Sequence, residues 1–129
     1  MSQIKKSLLV FFALLFPLLA HAVAVGDAYT QEKLDALNKA GKPALVFIYA
    51  DWCPTCKAQG KILSELLPEK EFKGITTLSV DFDMQKPVVR SFGAKFQSTL
   101  IVFKGGKEVG RVTAETDRDR IAELLRKTL

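Results

Sequence analysis

The most constraining feature of this sequence is an uninterrupted apolar segment, Ala44 to Ala50, followed almost at once by the chain's two cysteines, Cys53 and Cys56. The segment has the length of a buried strand, and an all-apolar strand needs cover on both of its faces. It therefore predicts a central strand with helices on either side. A helical pattern follows the cysteines, with its apolar face formed by Ile62, Leu63, Leu66 and Leu67.

The two thiols lie where the predicted strand passes into the predicted helix. Cys53 falls at or near the N-cap, where unpaired backbone N–H groups and the helix dipole favour a thiolate. Pro54 suits the first helical position because its fixed φ is helical and it has no N–H to leave unpaired. Cys56 lies one turn further on nearly the same face, so the two sulfurs can form a disulfide. We expect Cys56 to be the more buried thiol and the poorer nucleophile.

The motif Trp-Cys-x-x-Cys-Lys after an apolar strand resembles the active site of the thioredoxin superfamily, over nearly everything after residue 26. The Trp-Cys-Pro-Thr-Cys form is similar to bacterial extracytoplasmic (periplasmic) thioredoxin-like proteins. The resemblance implies a thioredoxin-like α/β fold, in which a central mixed β-sheet is flanked by helices. It also implies that Cys53 is the nucleophile and Cys56 the resolving thiol. Trp52, Pro54 and Thr55 would support the site, with Trp52 either contributing to the substrate surface or packing over the helix start.

Residues 1–22 have the pattern of a secretory signal peptide. Lys5 and Lys6 precede an apolar core, and Ala20-His21-Ala22 is a small-x-small cleavage site. A retained membrane anchor is the alternative, although the core is shorter than the roughly 20 residues that span a bilayer. We therefore expect a single domain over residues 23–129, outside the cytoplasm, where disulfide chemistry is possible.

The remaining elements follow from apolar periodicity and from local start and stop signals. Gly105-Gly106 between two strand patterns indicates a β-hairpin, and Thr116 with Asp119 fits a capping box for the last helix. The predicted elements are a helix over 31–40 capped by Thr30, strands over 44–50 and 75–82, helices over 53–67 and 86–92, a hairpin of 99–104 with 107–113, and the final helix. We expect Phe92 and Phe96 to pack in the core, and Asp81 and Asp83 to lie at a solvated strand end.

Two positions depart from the pattern of the family that the motif resembles. Thioredoxin-like proteins usually carry a cis-proline before the strand that begins here at Thr99, and this chain has Ser98 after Gln97. A cis bond without proline costs about 2.5–4 kcal/mol, so we expect a trans Gln97–Ser98 bond. Chain spacing places Gln97, Ser98 and Thr99 in the predicted substrate groove, where Ser98 would contact substrate through its hydroxyl or backbone; a simple turn residue is the alternative.

The second departure lies beneath the dithiol. Many thioredoxins have a buried aspartate six residues before the first cysteine, and this chain has Phe47 there, with Ser79 where a partner lysine often lies. Proton transfer from Cys56 would then use water or another group. We expect slower general disulfide reduction than by a cytosolic thioredoxin.

Composition narrows the function classes. The formal net charge of +5 falls to +3 without Lys5 and Lys6, and no basic block is interleaved with aromatic residues, which argues against nucleic-acid binding. The leading interpretation is a thiol–disulfide oxidoreductase without a cofactor, acting on cysteine-containing exported proteins. The Pro-Thr dipeptide lacks the histidine often found in strong oxidants and favours reduction, with electrons from a membrane thiol-electron transporter. We expect a monomer.

The alternative is a copper-binding or metallochaperone module that uses the same two thiolates. Two thiolates suffice for linear copper(I), whereas a closed zinc site needs four ligands. Met84 is the only further soft candidate after the leader, so no metal site is predicted. An inert structural disulfide is a third possibility.

Overall fold

The computed structural model describes residues 23–129. The predicted leader and its cleavage site lie outside the described residues, so both stay predictions. Within residues 23–129, every helix is too short or too polar to span a lipid bilayer.

The described residues form five strands and four helices. In chain order they are β1 (Asp27–Ala28), α1 (Gln31–Lys39), β2 (Ala44–Tyr49), α2 (Pro54–Leu66), β3 (Thr76–Asp81), α3 (Lys86–Ser91), β4 (Thr99–Lys104), β5 (Lys107–Thr113) and α4 (Arg118–Arg126). The predicted elements are confirmed to within two residues at most of their ends. The two-residue β1, which pairs parallel to β3, was not predicted.

The strands form one mixed sheet in the order β1-β3-β2-β4-β5, so the apolar strand β2 lies at its centre, as predicted. β2 is parallel to β3 and antiparallel to β4. Its side chains alternate between two buried clusters. Leu45 and Phe47 pack with α2 and α4 on one face, whereas Val46 and Ile48 pack with α1 and α3 on the other. An all-apolar strand is stable here because each face has its own pair of helices.

Helix α2 begins and ends where its local signals predict. Cys53 is the N-cap in an extended conformation, Pro54 is the first helical residue, and the helix ends before Pro68. A Cβ on Gly60, in the interior of α2, would lie 3.2 Å from the carbonyl oxygen of Val23. The glycine therefore lets the segment that precedes β1 cross close to α2.

The cap of the last helix differs from the prediction by one residue. Asp117, not Thr116, is the N-cap of α4, and its Oδ1 accepts a hydrogen bond of 3.0 Å from the backbone N–H of Arg120. Both residue types cap helices well, and a carboxylate adds a favourable interaction with the helix dipole. Adjacent Thr and Asp therefore left the start of this helix ambiguous in the sequence.

Candidate active site

Four chain segments converge at the edge of the sheet where the dithiol lies. The register pairs Tyr49 with Asp81, Ile48 with Thr99, and Thr99 with Thr113. The ends of β2, β3 and β5 and the start of β4 therefore meet at this edge. The loops that follow or precede these strands form the walls around Cys53 and Cys56.

Cys53 is held as the cap of α2. Its Sγ accepts a hydrogen bond of 3.1 Å from the backbone N–H of Cys56, and its own N–H donates to the carbonyl of Ala50. The predicted position at the helix start is confirmed. Cys53 is only 2% exposed, because the cap bond turns its sulfur back over the first turn. Pro54 is exposed beside it and Thr55 is half-buried.

Cys56 is fully buried, and both cysteines are free thiols. Burial raises the pKa of the Cys56 thiol to about 12, and the hydrogen bond with Cys53 acts in the same direction. The backbones of Ala50 and Ser98 act in the opposite direction but do not offset the burial. Cys56 is therefore protonated at neutral pH, which agrees with the expectation that it is the poorer nucleophile.

Beneath the dithiol lies an apolar surface that we call the floor, formed by Phe47, Ser79 and Val25. Phe47 is fully buried in the cluster that contains both cysteines, and it is the register partner of Ser79. The Ser79 hydroxyl donates to the carbonyl of Val25 at 2.5 Å and accepts from the N–H of Val25 at 2.9 Å. Ser79 thus binds the segment before β1, and the floor presents no titratable side chain to Cys56.

The residues predicted for the substrate groove, Gln97, Ser98 and Thr99, lie beside the dithiol. The described residues contain no cis peptide bond, so the trans Gln97–Ser98 bond is confirmed. Ser98 has a φ of 59°, in the left-handed region that side chains rarely adopt. The hydroxyls of Ser98 and Thr99 donate to the nearby carbonyls of Gln97 and Phe96. The Ser98 hydroxyl is therefore paired within the loop and is not the group that would contact a substrate.

The sequence reasoning missed Gln59, which is fully buried on α2 one turn after Cys56. Its Nε2 donates two hydrogen bonds of 3.0 Å, to the carbonyls of Ser98 and Glu115. The available signal was a polar residue on the face of α2 that also carries the buried Leu63 and Leu66. A polar side chain at such a spacing indicates a buried hydrogen-bond partner elsewhere in the chain.

Large apolar side chains are exposed on the loops at this edge. Trp52 is 59% exposed, Met84 81% and Phe96 62%. The expectation that Phe96 packs in the core is therefore wrong, since it lies on the loop before β4, beyond the reach of either cluster. Phe92 does pack, with its ring 5.4 Å from that of Tyr29.

The two aspartates after β3 organise a turn rather than only facing solvent. The Asp81 side chain accepts from the backbone N–H groups of Asp83 and Met84. Asp83 accepts a hydrogen bond of 2.7 Å from the indole Nε1 of Trp52. The turn therefore holds the indole beside the dithiol. Residues 23–129 contain no group of three or more Cys, His, Asp or Glu side chains arranged to hold a metal ion.

Comparison with known proteins agrees with this geometry. The family model described as Thioredoxin matches residues 25–127. The thioredoxin of Chlamydia muridarum is 36% identical over 83 residues, which are 64% of this chain and 79% of that protein. Thioredoxin 1 of Nostoc sp. is 29% identical over 110 residues, 85% of this chain and 98% of that protein. The crystal structure of Trxlp from Edwardsiella tarda EIB202 superposes with a TM-score of 0.75 at 34% identity, covering 78% of this chain and 98% of that one. The predicted thioredoxin-like fold is thereby confirmed.

Proposed function

Because this chain belongs to the thioredoxin family and is a thiol–disulfide oxidoreductase, we propose that it reduces disulfides of exported proteins in the periplasm. The Cys53 thiolate attacks a substrate disulfide, breaking that S–S bond, releasing one substrate thiolate and forming a mixed disulfide. Cys56 then attacks the Cys53 sulfur and expels the second substrate sulfur, while the Cys56 proton passes to the released thiolates through water. The products are the reduced substrate and a Cys53–Cys56 disulfide, so two electrons pass to the substrate.

The observation that carries this proposal is the unequal placement of the two thiols. Cys53 caps α2, and its Sγ accepts a hydrogen bond from the backbone N–H of Cys56 at the start of the helix. Burial holds the pKa of Cys56 at about 12, so Cys56 keeps its proton. Because Cys56 keeps its proton and Cys53 lies at the helix start, the dithiol attacks substrate through the Cys53 sulfur alone.

The exposed apolar side chains support a protein as the substrate. Trp52, Met84 and Phe96 stand on three different loops around the dithiol. Exposed apolar groups gathered at one site are typical of a surface that binds another protein. A small disulfide would need none of them.

Reduction is supported by the Cys53-Pro54-Thr55-Cys56 sequence. A strong oxidant needs a strongly stabilised thiolate, and Pro54 and Thr55 contribute no cationic donor, unlike a histidine at that position. Equilibration with glutathione buffers measures the direction. We expect a reduction potential at or below about −200 mV, whereas a value near −120 mV, typical of strong oxidants, would overturn the reductive role.

The periplasmic location rests on residues 1–22, with their two lysines, apolar core and Ala20-His21-Ala22 site. In that compartment, electrons would come from a membrane thiol-electron transporter. Cell fractionation of the full chain with N-terminal sequencing tests this. We expect a mature periplasmic protein that begins at Val23. A membrane-bound chain that keeps its leader would show that the leader is an anchor and not a cleaved signal peptide. An uncleaved chain in the cytoplasm would overturn the periplasmic location.

Trapping of partners tests the roles of the two thiols. Cys56→Ser, expressed with the leader, should accumulate mixed disulfides with exported proteins that dithiothreitol releases, because nothing resolves them. Cys53→Ser is the matched control and should trap none. Equal adducts from both variants, or adducts only from Cys53→Ser, would contradict the assignment.

A further inference from the structure

Gln59 is a fully buried amide in the apolar layer between α2 and the sheet. Burying an amide is costly unless its polar atoms are paired. Both Nε2 hydrogens are used, on the carbonyls of Ser98 and Glu115, but Oε1 has no partner among the described residues. Two carbonyl acceptors can pair only with the NH2 end, so they fix the orientation of the amide. An apolar residue would avoid the unpaired oxygen, so packing alone does not account for glutamine here.

The two segments that Gln59 holds are strained. Ser98 and Ala114 have φ values of 59° and 58°, and both carry a Cβ. Left-handed conformations of such residues persist only where the surroundings enforce them. The N–H of Ala114 donates to the carbonyl of Ser98, the same carbonyl that accepts from Gln59. Gln59 and this bond together fasten both segments to α2.

Residues 96–98 form the segment that we call the Ser98 loop. The backbone of Ser98 at its end is close enough to Cys56, the resolving thiol, to influence its ionisation. Gln59 follows Cys56 by three residues on the same face of α2. The Ser98 backbone therefore reaches both the thiol and the amide, and Phe96 at the start of the loop is exposed.

We propose that Gln59 is a positioning residue that holds the strained Ser98 loop against α2, so that the loop's backbone is ready to receive a protein substrate beside the dithiol. This inference rests on the proposed function. The hydrogen bonds from Gln59 to Ser98 and Glu115 form what we call the Gln59 clamp. The clamp gives the loop the rigidity that a proline at position 98 would otherwise give. The amide itself touches neither sulfur, and a small thiol reagent does not need the loop.

The test compares Gln59→Met, which keeps the volume but donates no hydrogen bond, with Thr128→Val, which removes a buried hydrogen-bond donor elsewhere in the fold. Thr128 is fully buried and its Oγ1 donates to the carbonyl of Leu125, away from the loop. With dithiothreitol recycling the dithiol, we expect Gln59→Met to lower kcat/KM for insulin disulfides about tenfold, mainly through KM, because the loop is misplaced. Alkylation of Cys53 by iodoacetamide should be unchanged. Thr128→Val should alter neither rate.

Two further variants separate positioning from general stability. Gln59→Asn keeps an amide but is too short to reach both carbonyls, so it should lose activity as Gln59→Met does. Ser98→Gly in the Gln59→Met chain should restore at least part of the activity, because glycine adopts a φ near 60° without strain.

Each outcome decides between the proposals. The positioning role alone would be overturned if kcat/KM of Gln59→Met equalled that of wild type or fell no further than that of Thr128→Val. It would also be overturned if the rate of Cys53 alkylation fell in parallel with kcat/KM. Unfolding of both Gln59 variants by circular dichroism would do the same, in favour of a purely structural residue. Wild type that fails to reduce insulin would overturn the proposed reductase function itself.

Discussion

The two regions that adjoin Cys56 differ in polarity. The floor below it, formed by Phe47, Ser79 and Val25, turns no titratable group towards the thiol, and the one polar side chain there is occupied by Val25. The Gln59 clamp beside it is polar and joins α2 to two strained segments. Burial raises the pKa of Cys56, and the Ser98 backbone that the clamp holds acts in the opposite direction without offsetting it. Both sides therefore act on the thiol, but only the clamp fixes the backbone beside it.

The largest expected effect comes from placing a charge in the floor. Phe47→Asp should lower the free energy of unfolding by about 3–5 kcal/mol, because a carboxylate would be buried without a partner. Urea denaturation of the reduced protein measures it. Phe47→Leu is the control and should cost about 1–2 kcal/mol through lost volume. Equal losses in the two variants would mean that the floor is not the dry surface described above.

The ionisation of Cys56 predicts a smaller, pH-dependent effect. Its pKa is about 12 in the folded state, above the value of about 8.5 expected in the unfolded chain. The folded state therefore keeps a proton that the unfolded state releases, so this stability is complete below pH 8 and is lost as the pH rises towards 12. From pH 8 to pH 10 the reduced protein should lose about 2 kcal/mol more than Cys56→Ala does.

Denaturant curves at the two pH values, run on both proteins, measure that difference. Cys56→Ala is the matched reference because it carries the same tyrosines and lysines, whose titration is then subtracted. Parallel losses in the two proteins would show that Cys56 ionises normally in the fold.

The smallest effect concerns the attachment of the segment before β1 to the floor. Ser79→Ala removes both hydrogen bonds to Val25 and should cost about 1–2 kcal/mol, since a partly buried backbone donor and acceptor lose their partner. Hydrogen exchange should show faster exchange at Val25 with little change at Ser98. Loss of protection at the Ser98 loop as well would show that the floor and the Gln59 clamp are coupled.

The parts of the fold that were predictable have local causes. The all-apolar β2, the cap and proline at the start of α2, and the hairpin at Gly105-Gly106 each carry their signal within a few residues. The two-residue β1 has no such signal, because its pairing with β3 joins residues about fifty positions apart. Periodicity cannot detect a strand of that length.

The reactive residues of the site could be predicted from the sequence, but the hydrogen bonds that position the loops around them could not. The two cysteines and their order along the helix could be read directly from spacing. The Gln59 clamp joins α2 to Ser98 and Glu115, which lie 39 and 56 residues further along the chain. Phe96 was misplaced because apolar residues are often exposed, so hydrophobicity alone does not assign a side chain to the core.

The most direct test of the account is site-resolved alkylation of the reduced wild-type protein across pH. Iodoacetamide labelling followed by peptide mass spectrometry measures the rate at each thiol separately. We expect Cys53 to be labelled and Cys56 to stay unlabelled up to pH 9, because burial keeps the Cys56 pKa near 12. Labelling of both thiols at similar rates at pH 8 would contradict the unequal dithiol on which the proposed mechanism depends.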